Sequence, residues 1–533
     1  GAAVHKLYET YHVASSYEEA GLLGIQGGME TEMPVGDSYR KLGEYVRSGE
    51  LDVQLIDEAV RHVLHTKFAA GLFENPYVDA ENCTQFMNTE NARRLSRQLA
   101  AESLTLLEND GILPLQKGKK LAVIGPHGNF LRPGVTGYTF PAYCEMIRGM
   151  SGKDVGEVTF HGMADERRRA DTQGKEWTMD AILSDGFSVE EALRGQSGAG
   201  TLAGELGCDF TTVSAVGCKI TGVDVTGIPE AVETARRCDT VILTLGGNCG
   251  WVGTTGGEGK DRTHLGLPGI QQRLLDAVAQ AGKDIVLVLY GPACYTPKLP
   301  ANVKAVLYAW LPGPYGGKAI ADVLTGRSEP MGRLPVTVPR CAGQIPIYYS
   351  HKTGSGYTQI GNRTGINAVS AFDGGYTDEL STPLYPFGYG MSYTSFSVGA
   401  LAPVCDSVPT DGTIALNCTV TNTGERAGST VIQLYFRDME AHVTRPVKQL
   451  CGYVRVYLEP GQTAQISFEV DCAQLGFTNE NDEFVVEPGR MTFWAGEHSE
   501  ALDACAEVTL TGRVRNLEGS RKFTSTAKWQ LMV

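Results

Sequence analysis

The sequence predicts an α/β protein in which a mainly parallel sheet, covered by helices, is followed by an antiparallel β-sandwich. One observation is that short apolar runs alternate with helical stretches in the central part of the chain. Another is that the C-terminal part contains short strands separated by Asn-Thr-Gly or Pro-Gly turns. The chain of 533 residues is too long for one core and suggests three or four domains.

Four continuous apolar runs indicate strands of a sheet that is buried on both faces. Helical stretches such as LPGIQQRLLDAVAQAG separate them, which favours parallel strand pairing. Ligands bind such sheets at the carboxyl ends of the strands, so the loops after the runs are candidate sites. The runs are KKLAVIGP (119–126), DTVILTLGG (239–247), KDIVLVLYGP (283–292) and VKAVLYAWLPG (303–313).

Helical periodicity dominates the N-terminal part. Residues 16–26 predict one helix, and a stronger helix spans about Val53 to Ala70, with Gly71 ending it. Between them, GGMETEMP (27–34) predicts a short extended segment, and residues 82–114 predict a connector with a further helix. The stronger helix carries one apolar stripe, which must pack on something to avoid a serious free-energy cost. The stripe contains Ile56, Val60, Val63, Leu64 and Phe68.

From about residue 394 the pattern changes to short strands, of which IALNCTVTNTG and RMTFWAGE are examples. This spacing predicts an antiparallel sandwich of immunoglobulin-like type. The segment after Arg513 carries no readable pattern. Residues 138–185 also lack periodicity and predict a long surface excursion, with a lid as one use of it.

Charge and composition exclude several classes of protein. The net charge of −15 disfavours nucleic-acid binding, and no apolar stretch is long enough to span a membrane. The 13 cysteines lack zinc-ligand spacing, so we expect no metal site. Buried free thiols would favour a reducing, cytoplasmic compartment, with a periplasmic or secreted location left open.

One carboxylate stands out in the loop after the run that ends at Gly247. Glu258 lies between glycines in TTGGEGKDRTHLGLPGIQ (254–271) and is followed by Asp261 and Arg262. From its spacing alone, Glu258 is more readily a solvated loop acid than a catalytic group. A nucleotide-binding interpretation of the neighbouring glycines has little support, because neither phosphate-loop pattern occurs there.

Several stretches, taken together and in order, resemble glycoside hydrolase family 3. The resemblance implies the end of a (β/α)8 barrel at residues 1–81 and an α/β sandwich domain with its connector at 82–392. It implies a fibronectin type III-like domain at 393–513, followed by a tail at 514–533. The stretches are VRHVLHTKFAAGLFENPYVD, LAAESLTLLENDGILPL, LAVIGP, GGEGKDR, GGKAIADVLTGRSEPMGRLPVTVP and PLYPFGYGMSYTSF.

The resemblance also implies a chemistry. Family members are retaining exo-glycosidases, and their GE-x-x-x-R-type loop matches residues 257–262, which makes Glu258 the expected general acid/base. Trp251 is a candidate for stacking on the aglycone, and Thr136 for contact with the glycone. Asp261 and Arg262 are expected to brace the loop as an ion pair, and His127 to be structural. The reaction needs no cofactor and no metal.

The expected nucleophile is not in the sequence. The family's nucleophilic Asp would fall two places before Gly1, and an upstream barrel portion would supply it, on the same polypeptide or on a separate chain. Glu30, in the segment that resembles the eighth barrel strand, stands where relatives usually carry Asp.

The expected activity is a β-glucosidase acting on terminal non-reducing β-D-glucosyl residues of a small carbohydrate or glycoside. A β-xylosidase or α-L-arabinosidase of the same family is an alternative. A non-catalytic carbohydrate-binding or scaffold protein is an alternative of another class. The sandwich domain is expected to support a domain interface and is a candidate contact in a homo-oligomer.

Overall fold

The computed structural model forms two compact units, Gly1–Thr89 and Glu90–Val533. It describes residues 3–33, 36–79, 81–86, 89–131, 134–139, 142–143, 146, 186, 188–194, 210–251, 253–352, 376, 378–502 and 504–532. Most of the predicted excursion at 138–185 therefore lies outside the described residues.

The described residues of the first unit form four α-helices. Ser16 caps α2 by accepting a hydrogen bond from the Glu19 N–H at 3.2 Å, and Asp52 caps α4 by accepting one from the Gln54 N–H at 2.9 Å. Both helices lie where the periodicity predicted them. The helices are α1 Ala3–Glu9, α2 Tyr17–Gln26, α3 Leu42–Ser48 and α4 Val53–Ala69.

The segment that resembles the eighth barrel strand forms no strand over its described residues 27–33, and no strand occurs among the described residues of the first unit. An isolated strand leaves its N–H and C=O groups without partners, so the segment needs a neighbouring strand to become one. Its acids instead contact histidines: Glu30 contacts His62, and the buried Glu32 lies 3.0 Å from Nε2 of His5. The barrel end implied by the resemblance is therefore not shown.

The apolar stripe of α4 is largely exposed, as a helix without its packing partner would be. Val60 is 50% exposed and Phe68 is 58% exposed, while Ile56 and Val63 are half-buried. No described residue of the first unit covers the exposed part of the stripe. The packing of another surface on the apolar stripe of α4 therefore stays a prediction.

The second unit begins with a six-stranded sheet of order β1-β6-β5-β4-β2-β3. β1 is antiparallel to β6 and the other pairs are parallel, so the sheet is mixed, with one antiparallel edge strand. The strands are β1 Thr105–Asn109, β2 Lys120–Ile124, β3 Thr211–Ala215, β4 Thr240–Gly246, β5 Asp284–Tyr290 and β6 Val303–Trp310. The helices that accompany them are α5 Glu90–Ser103, α6 Val189–Arg194, α7 Ile228–Arg236, α8 Gln271–Ala279 and α9 Gly316–Leu324.

The C-terminal part is a mainly antiparallel β-sandwich, close to the prediction, with one parallel pair between β9 and β17. One sheet has the order β19-β13-β10-β7, with β8 on β10, and the other has the order β12-β11-β16-β17-β9; β14, β15 and β18 form a small third sheet. Buried and outward residues alternate along β10 and β17, so one face of each packs in the core. The strands are β7 Phe396–Val398, β8 Ala402–Pro403, β9 Ser407–Pro409, β10 Thr413–Asn422, β11 Gly428–Asp438, β12 Gln449–Leu458, β13 Thr463–Asp471, β14 Phe477–Thr478, β15 Phe484–Val486, β16 Gly489–Gly496, β17 Ala504–Thr511, β18 Arg515–Asn516 and β19 Thr526–Leu531.

The segment expected to be a separate tail contributes to this sandwich. β19 pairs antiparallel with β13, from Ala464 opposite Leu531 to Glu469 opposite Thr526. Its pattern is hard to recognise in the sequence, because most of its side chains, including Trp529, are exposed.

Candidate active site

Glu258 lies in the loop that follows β4, at the carboxyl edge of the parallel strands, as the sequence predicted. The loops after β2 and β6 meet at the same edge, where the Gly313 N–H donates to the Gly134 carbonyl at 2.7 Å. Side chains of the loops after β2 and β4 are thus brought to the place where such sheets bind ligands, and the β6 loop joins them through its backbone.

The root of the acid loop is held by Gln271, at the start of α8. Its side-chain oxygen accepts from the Gly246 N–H, and its Nε2 donates to the Gly246 carbonyl, both at 2.7 Å. Nε2 also donates to the carbonyl of Ile220 at 2.9 Å. Gln271 is fully buried, so these bonds fix the point at which the strand becomes a loop.

Hydrogen bonds between Asn248 and Thr255 stabilise the next stretch of the loop. The Asn248 N–H donates to Oγ1 of Thr255 at 2.9 Å, and the Thr255 N–H donates to Oδ1 of Asn248 at 3.1 Å. The Gly250 N–H donates to the Gly256 carbonyl at 3.2 Å. The loop is therefore well connected up to the residue before Gly257.

Glu258 occupies the tip of a tight turn in which the Lys260 N–H donates to the Gly257 carbonyl at 3.1 Å. Gly257 and Gly259 have φ values of +128° and +65°, which residues with a Cβ adopt rarely. A Cβ at position 257 would also lie 2.4 Å from the Gly250 carbonyl oxygen. The flanking glycines thus form the turn that exposes the Glu258 carboxylate.

Tyr138, in the loop after β2, contacts both predicted site residues of the β4 loop. Its hydroxyl donates a hydrogen bond to Oε2 of Glu258, and its ring meets Trp251 edge-on, with centroids 5.0 Å apart. The hydrogen bond to the Glu258 carboxylate raises the pKa of the Tyr138 phenol. Tyr138 was not among the site residues predicted from the sequence, although it lies two residues after the candidate Thr136.

Thr136 itself is exposed on the same loop, and its carbonyl accepts from Oγ1 of Thr139 at 2.8 Å. The adjacent Gly137 lies against the acid loop, since a Cβ there would be 3.3 Å from Sγ of Cys249. Thr136 therefore lies next to the β4 loop in the fold, beside a residue that packs on Cys249.

The ion pair expected between Asp261 and Arg262 is not formed in the described part of this loop. Arg262 instead stacks over the Tyr295 ring at 4.3 Å and donates to the Gly266 carbonyl. Tyr295 in turn contacts Thr255 through their hydroxyl groups at 3.3 Å. Arg262 thus braces the loop through an aromatic ring, which offers a larger contact than an exposed acid.

His127 is buried beneath the site. Its Nε2 donates to the Gly247 carbonyl at 3.0 Å, and its ring stacks on Tyr290 with centroids 4.9 Å apart. Burial lowers the pKa of His127 to about 4, so the ring is neutral at pH 7. These contacts fit the structural role expected for this residue.

The described residues contain no group of three or more His, Cys, Asp or Glu side chains that could hold a metal ion. Five free cysteines within the described ranges are buried, namely Cys218, Cys238, Cys418, Cys451 and Cys472. None of the helices in those ranges is both long and apolar enough to cross a membrane.

Two protein-family models match the chain. The glycosyl hydrolase family 3 C-terminal domain matches residues 104–393, and the fibronectin type III-like domain matches residues 430–499. The first match contains the sheet and the acid loop, and the second lies within the sandwich.

Similar proteins include a periplasmic β-glucosidase of Salmonella typhimurium, which is 32% identical over 91% of this chain and 60% of its own length. A β-xylosidase of Formosa agariphila is 30% identical over 94% of this chain and 63% of its own length. The chain thus spans about six tenths of the length of these relatives. A lysosomal β-glucosidase of Dictyostelium discoideum is also similar, so the cytoplasmic location stays a prediction.

Solved structures agree with the fold. The β-glucosidase of Listeria innocua in complex with isofagomine has a TM-score of 0.77 at 27% identity, over 96% of this chain and 63% of that one. A β-glucosidase involved in saponin metabolism from intestinal bacteria has a TM-score of 0.74 at 28% identity, over 95% of this chain and 66% of that one. Because the first family model covers more than half of the 533 residues, the chain belongs to glycosyl hydrolase family 3.

Proposed function

We propose that the chain is the C-terminal portion of a retaining, exo-acting β-glucosidase in which Glu258 is the general acid/base. The observation that carries the proposal is the position of Glu258. It is presented at a glycine-flanked turn, on a loop with a fixed root, at the carboxyl edge of the sheet. Its loop also lies inside the segment that matches the family model.

In the proposed reaction Glu258 acts twice. As an acid it protonates the glycosidic oxygen, while a second carboxylate attacks the anomeric carbon, so that the bond between that carbon and the glycosidic oxygen breaks, the aglycone leaves as an alcohol and a glycosyl-enzyme bond forms. As a base it then takes a proton from the water that breaks this bond. Retention of configuration requires the two carboxyl groups to be only about 5–5.5 Å apart.

We propose that the second carboxylate is an Asp of a barrel portion that lies outside this sequence. The greater length of the relatives supports this, because 40% of the Salmonella typhimurium enzyme is not matched by the chain. The exposed stripe of α4 also supports it, because Val60 and Phe68 would be covered by such a barrel.

The same barrel portion would explain how Glu258 donates a proton. A solvent-exposed carboxyl group is ionised near pH 7, and a general acid needs an apolar cover or a neighbouring carboxylate to stay protonated. Glu258 is exposed in this chain. A barrel that covers the loop would supply both the apolar cover and the neighbouring carboxylate.

Neighbouring side chains would position the acid and the leaving group. Tyr138 would orient the Glu258 carboxylate through its hydrogen bond, and Trp251 would offer a ring to the aglycone. Thr136 is proposed to contact the glycone from the adjacent loop, and Arg262 to keep the loop in place through Tyr295.

Glucoside is the preferred substrate class, with β-xyloside or α-L-arabinoside as the alternative. The Salmonella typhimurium and Listeria innocua relatives are named β-glucosidases, whereas the Formosa agariphila relative is named a β-xylosidase. A non-catalytic scaffold is not favoured, because a binding module needs no proton donor in this loop. Parallel assays on aryl β-glucosides, β-xylosides and α-L-arabinosides separate these outcomes.

The decisive experiment is Glu258→Gln in the enzyme with its barrel portion restored. We expect kcat on an alkyl β-glucoside to fall by about 10²–10⁴, with partial recovery on a dinitrophenyl β-glucoside, whose leaving group needs no proton. Glu507→Gln, an exposed glutamate on β17, is the matched control and should leave kcat unchanged. Unchanged turnover in Glu258→Gln would end the proposal for this residue.

A separate measurement tests the barrel portion. The 533-residue chain alone should show no turnover of aryl β-glucosides, and turnover should appear when the barrel portion is present. Turnover by the chain alone at the rate of a complete β-glucosidase would contradict completion from outside.

A further inference from the structure

A groove of about 950 Å³ separates the sheet domain from the β-sandwich within the second compact unit. The wall on the sheet side includes Trp310, Arg333 and Phe387, and the wall on the sandwich side includes Gln433, Tyr453 and Arg455. No residue of the Glu258 loop lines it. The groove is therefore distinct from the candidate active site, and its size is typical of ligand sites.

Hydrogen bonds between the two domains fix the distance between the walls of the groove. Nη1 of Arg455 donates to Oε2 of Glu102 at 2.6 Å, and Nη2 of Arg333 donates to Oγ1 of Thr430 at 3.2 Å. Nε2 of the buried Gln433 donates to the Gly388 carbonyl at 3.1 Å. Because these bonds join the two domains, the space between them is preformed.

The lining favours a ligand that has both an apolar face and hydroxyl groups. Trp310, Phe387 and Tyr453 supply aromatic surface, and the guanidinium and carboxylate of the Arg455–Glu102 pair supply planar hydrogen-bonding groups. Since that pair is neutral as a whole and Arg333 is the remaining lining charge, a polyanion has no cluster of cations to bind. A neutral sugar matches this combination.

One strand extends the aromatic surface beyond the groove. Tyr453, Arg455 and Tyr457 alternate with buried or half-buried residues along β12, so all three face outward on the same side. Tyr453 is 68% exposed and Tyr457 is 52% exposed. Four residues of a strand span about 13 Å, so the two rings suit a ligand longer than one sugar ring.

Trp310, in the opposite wall, has an unusual backbone conformation. Its φ of +57° lies in the left-handed region, which is costly for a residue with a Cβ and is often found at ligand sites. Its carbonyl accepts from the Gly291 N–H at 2.9 Å, and its Nε1 donates to Oγ1 of Thr105 at 3.2 Å. The indole is thus held in the groove wall by its own hydrogen bonds.

We propose that this groove, together with the outward face of β12, binds a β-linked glucose oligosaccharide at a second, non-catalytic site. The choice of glucose rests on the proposed function, whereas the oligosaccharide class follows from the aromatic and neutral lining. Such a site would hold a longer chain next to the enzyme that shortens it.

The test is calorimetric titration of the 533-residue Glu258→Gln chain with cellopentaose and with laminaripentaose. We expect saturable binding of at least one of them, weakened about tenfold or more by Tyr453→Ala. Tyr453→Phe keeps the ring and should retain most of the affinity. Tyr348→Ala removes an exposed tyrosine outside the groove and should change nothing.

Three results would overturn the inference: no saturable binding, equal affinity in Tyr453→Ala, or equal loss in Tyr348→Ala. Self-association that Tyr453→Ala abolishes, without oligosaccharide binding, would assign the groove to a second copy and would also overturn it. Thermal melting of each variant separates lost binding from lost folding. Because Glu258→Gln is the background, binding here does not depend on whether Glu258 is the catalytic acid.

Discussion

The two compact units bury their apolar side chains to very different extents. In the second unit, every residue of α9 is buried, and Phe468 and Phe493 of the sandwich are completely enclosed. In the first unit, Val60 and Phe68 of α4 are at least half exposed, and the buried clusters are small. A helix with a regular apolar pattern and an N-cap therefore does not by itself show that its apolar side chains are packed in a complete core.

The comparison teaches where the stability of the chain resides. At about 1.5–3 kcal/mol for each large side chain, the enclosed residues of the second unit provide most of the hydrophobic stabilisation. The stripe of α4 provides little of it until another surface covers it. We therefore expect equal substitutions to have unequal effects in the two units.

A matched pair of phenylalanines should show the largest difference. Phe468→Ala removes a fully enclosed ring and should lower the free energy of unfolding of the second unit by about 3–5 kcal/mol. Phe68→Ala removes an exposed ring and should change it by less than about 0.5 kcal/mol. Urea unfolding followed by near-UV circular dichroism measures both changes.

One result would contradict the expected difference between the two phenylalanine substitutions. If Phe68→Ala destabilised the isolated chain as strongly as Phe468→Ala, α4 would already be packed on something. The two units would then not differ in how completely their apolar side chains are packed.

Acid should destabilise the second unit through its buried histidine, His127. The pKa of the buried His127 is lowered to about 4, so the unfolded chain binds the proton more readily between pH 4 and about 6.5. The stability that depends on neutral His127 is complete above pH 6.5 and is lost as the pH falls toward 4. Its size is on the order of 3 kcal/mol.

We therefore expect His127→Gln to flatten the loss of melting temperature of the second unit between pH 6.5 and 4. His264→Gln, at an exposed position, should follow the parent curve. Parallel curves for His127→Gln and the parent would show that another group causes the acid sensitivity.

The sequence predicted the features that depend on local pattern. The apolar runs placed β2, β4, β5 and β6, and the order of strand and loop placed Glu258 at the carboxyl edge. The helix at 53–69 followed from its periodicity, its Asp52 cap and the glycine after it.

The remaining features depend on contacts between distant residues. Tyr138 reaches Glu258 across 120 positions, and Gln271 reaches Gly246 across 25, so neither role is visible in local spacing. The expected ion pair of Asp261 with Arg262 failed because Tyr295, 33 positions after Arg262, offers the guanidinium a ring. The strand that the resemblance implied is not formed at residues 27–33, because a strand requires a neighbouring strand to pair with.

The root of the acid loop gives a smaller effect within the second unit. Gln271→Ala would leave the buried N–H and C=O of Gly246 without their partners, at about 1–3 kcal/mol. Gln280→Ala removes an exposed glutamine just after the same helix and should be nearly neutral. Urea midpoints measure the stability, and amide hydrogen exchange at Gly246 should accelerate only in Gln271→Ala.

The cap of α4 gives the smallest expected effect and the sharpest test of the first unit. Asp52→Ala removes the hydrogen bond to the Gln54 N–H and should cost about 1 kcal/mol of helix stability. In a well-packed domain that loss is spread over the whole core. In the first unit it should appear locally, because little packing opposes the fraying of the exposed stripe. Hydrogen exchange should therefore accelerate along the first turn of α4 in Asp52→Ala, while Asp52→Ser, which restores a capping oxygen, should keep the parent rates. Unchanged exchange in Asp52→Ala would mean that α4 is held by more than its own cap and stripe.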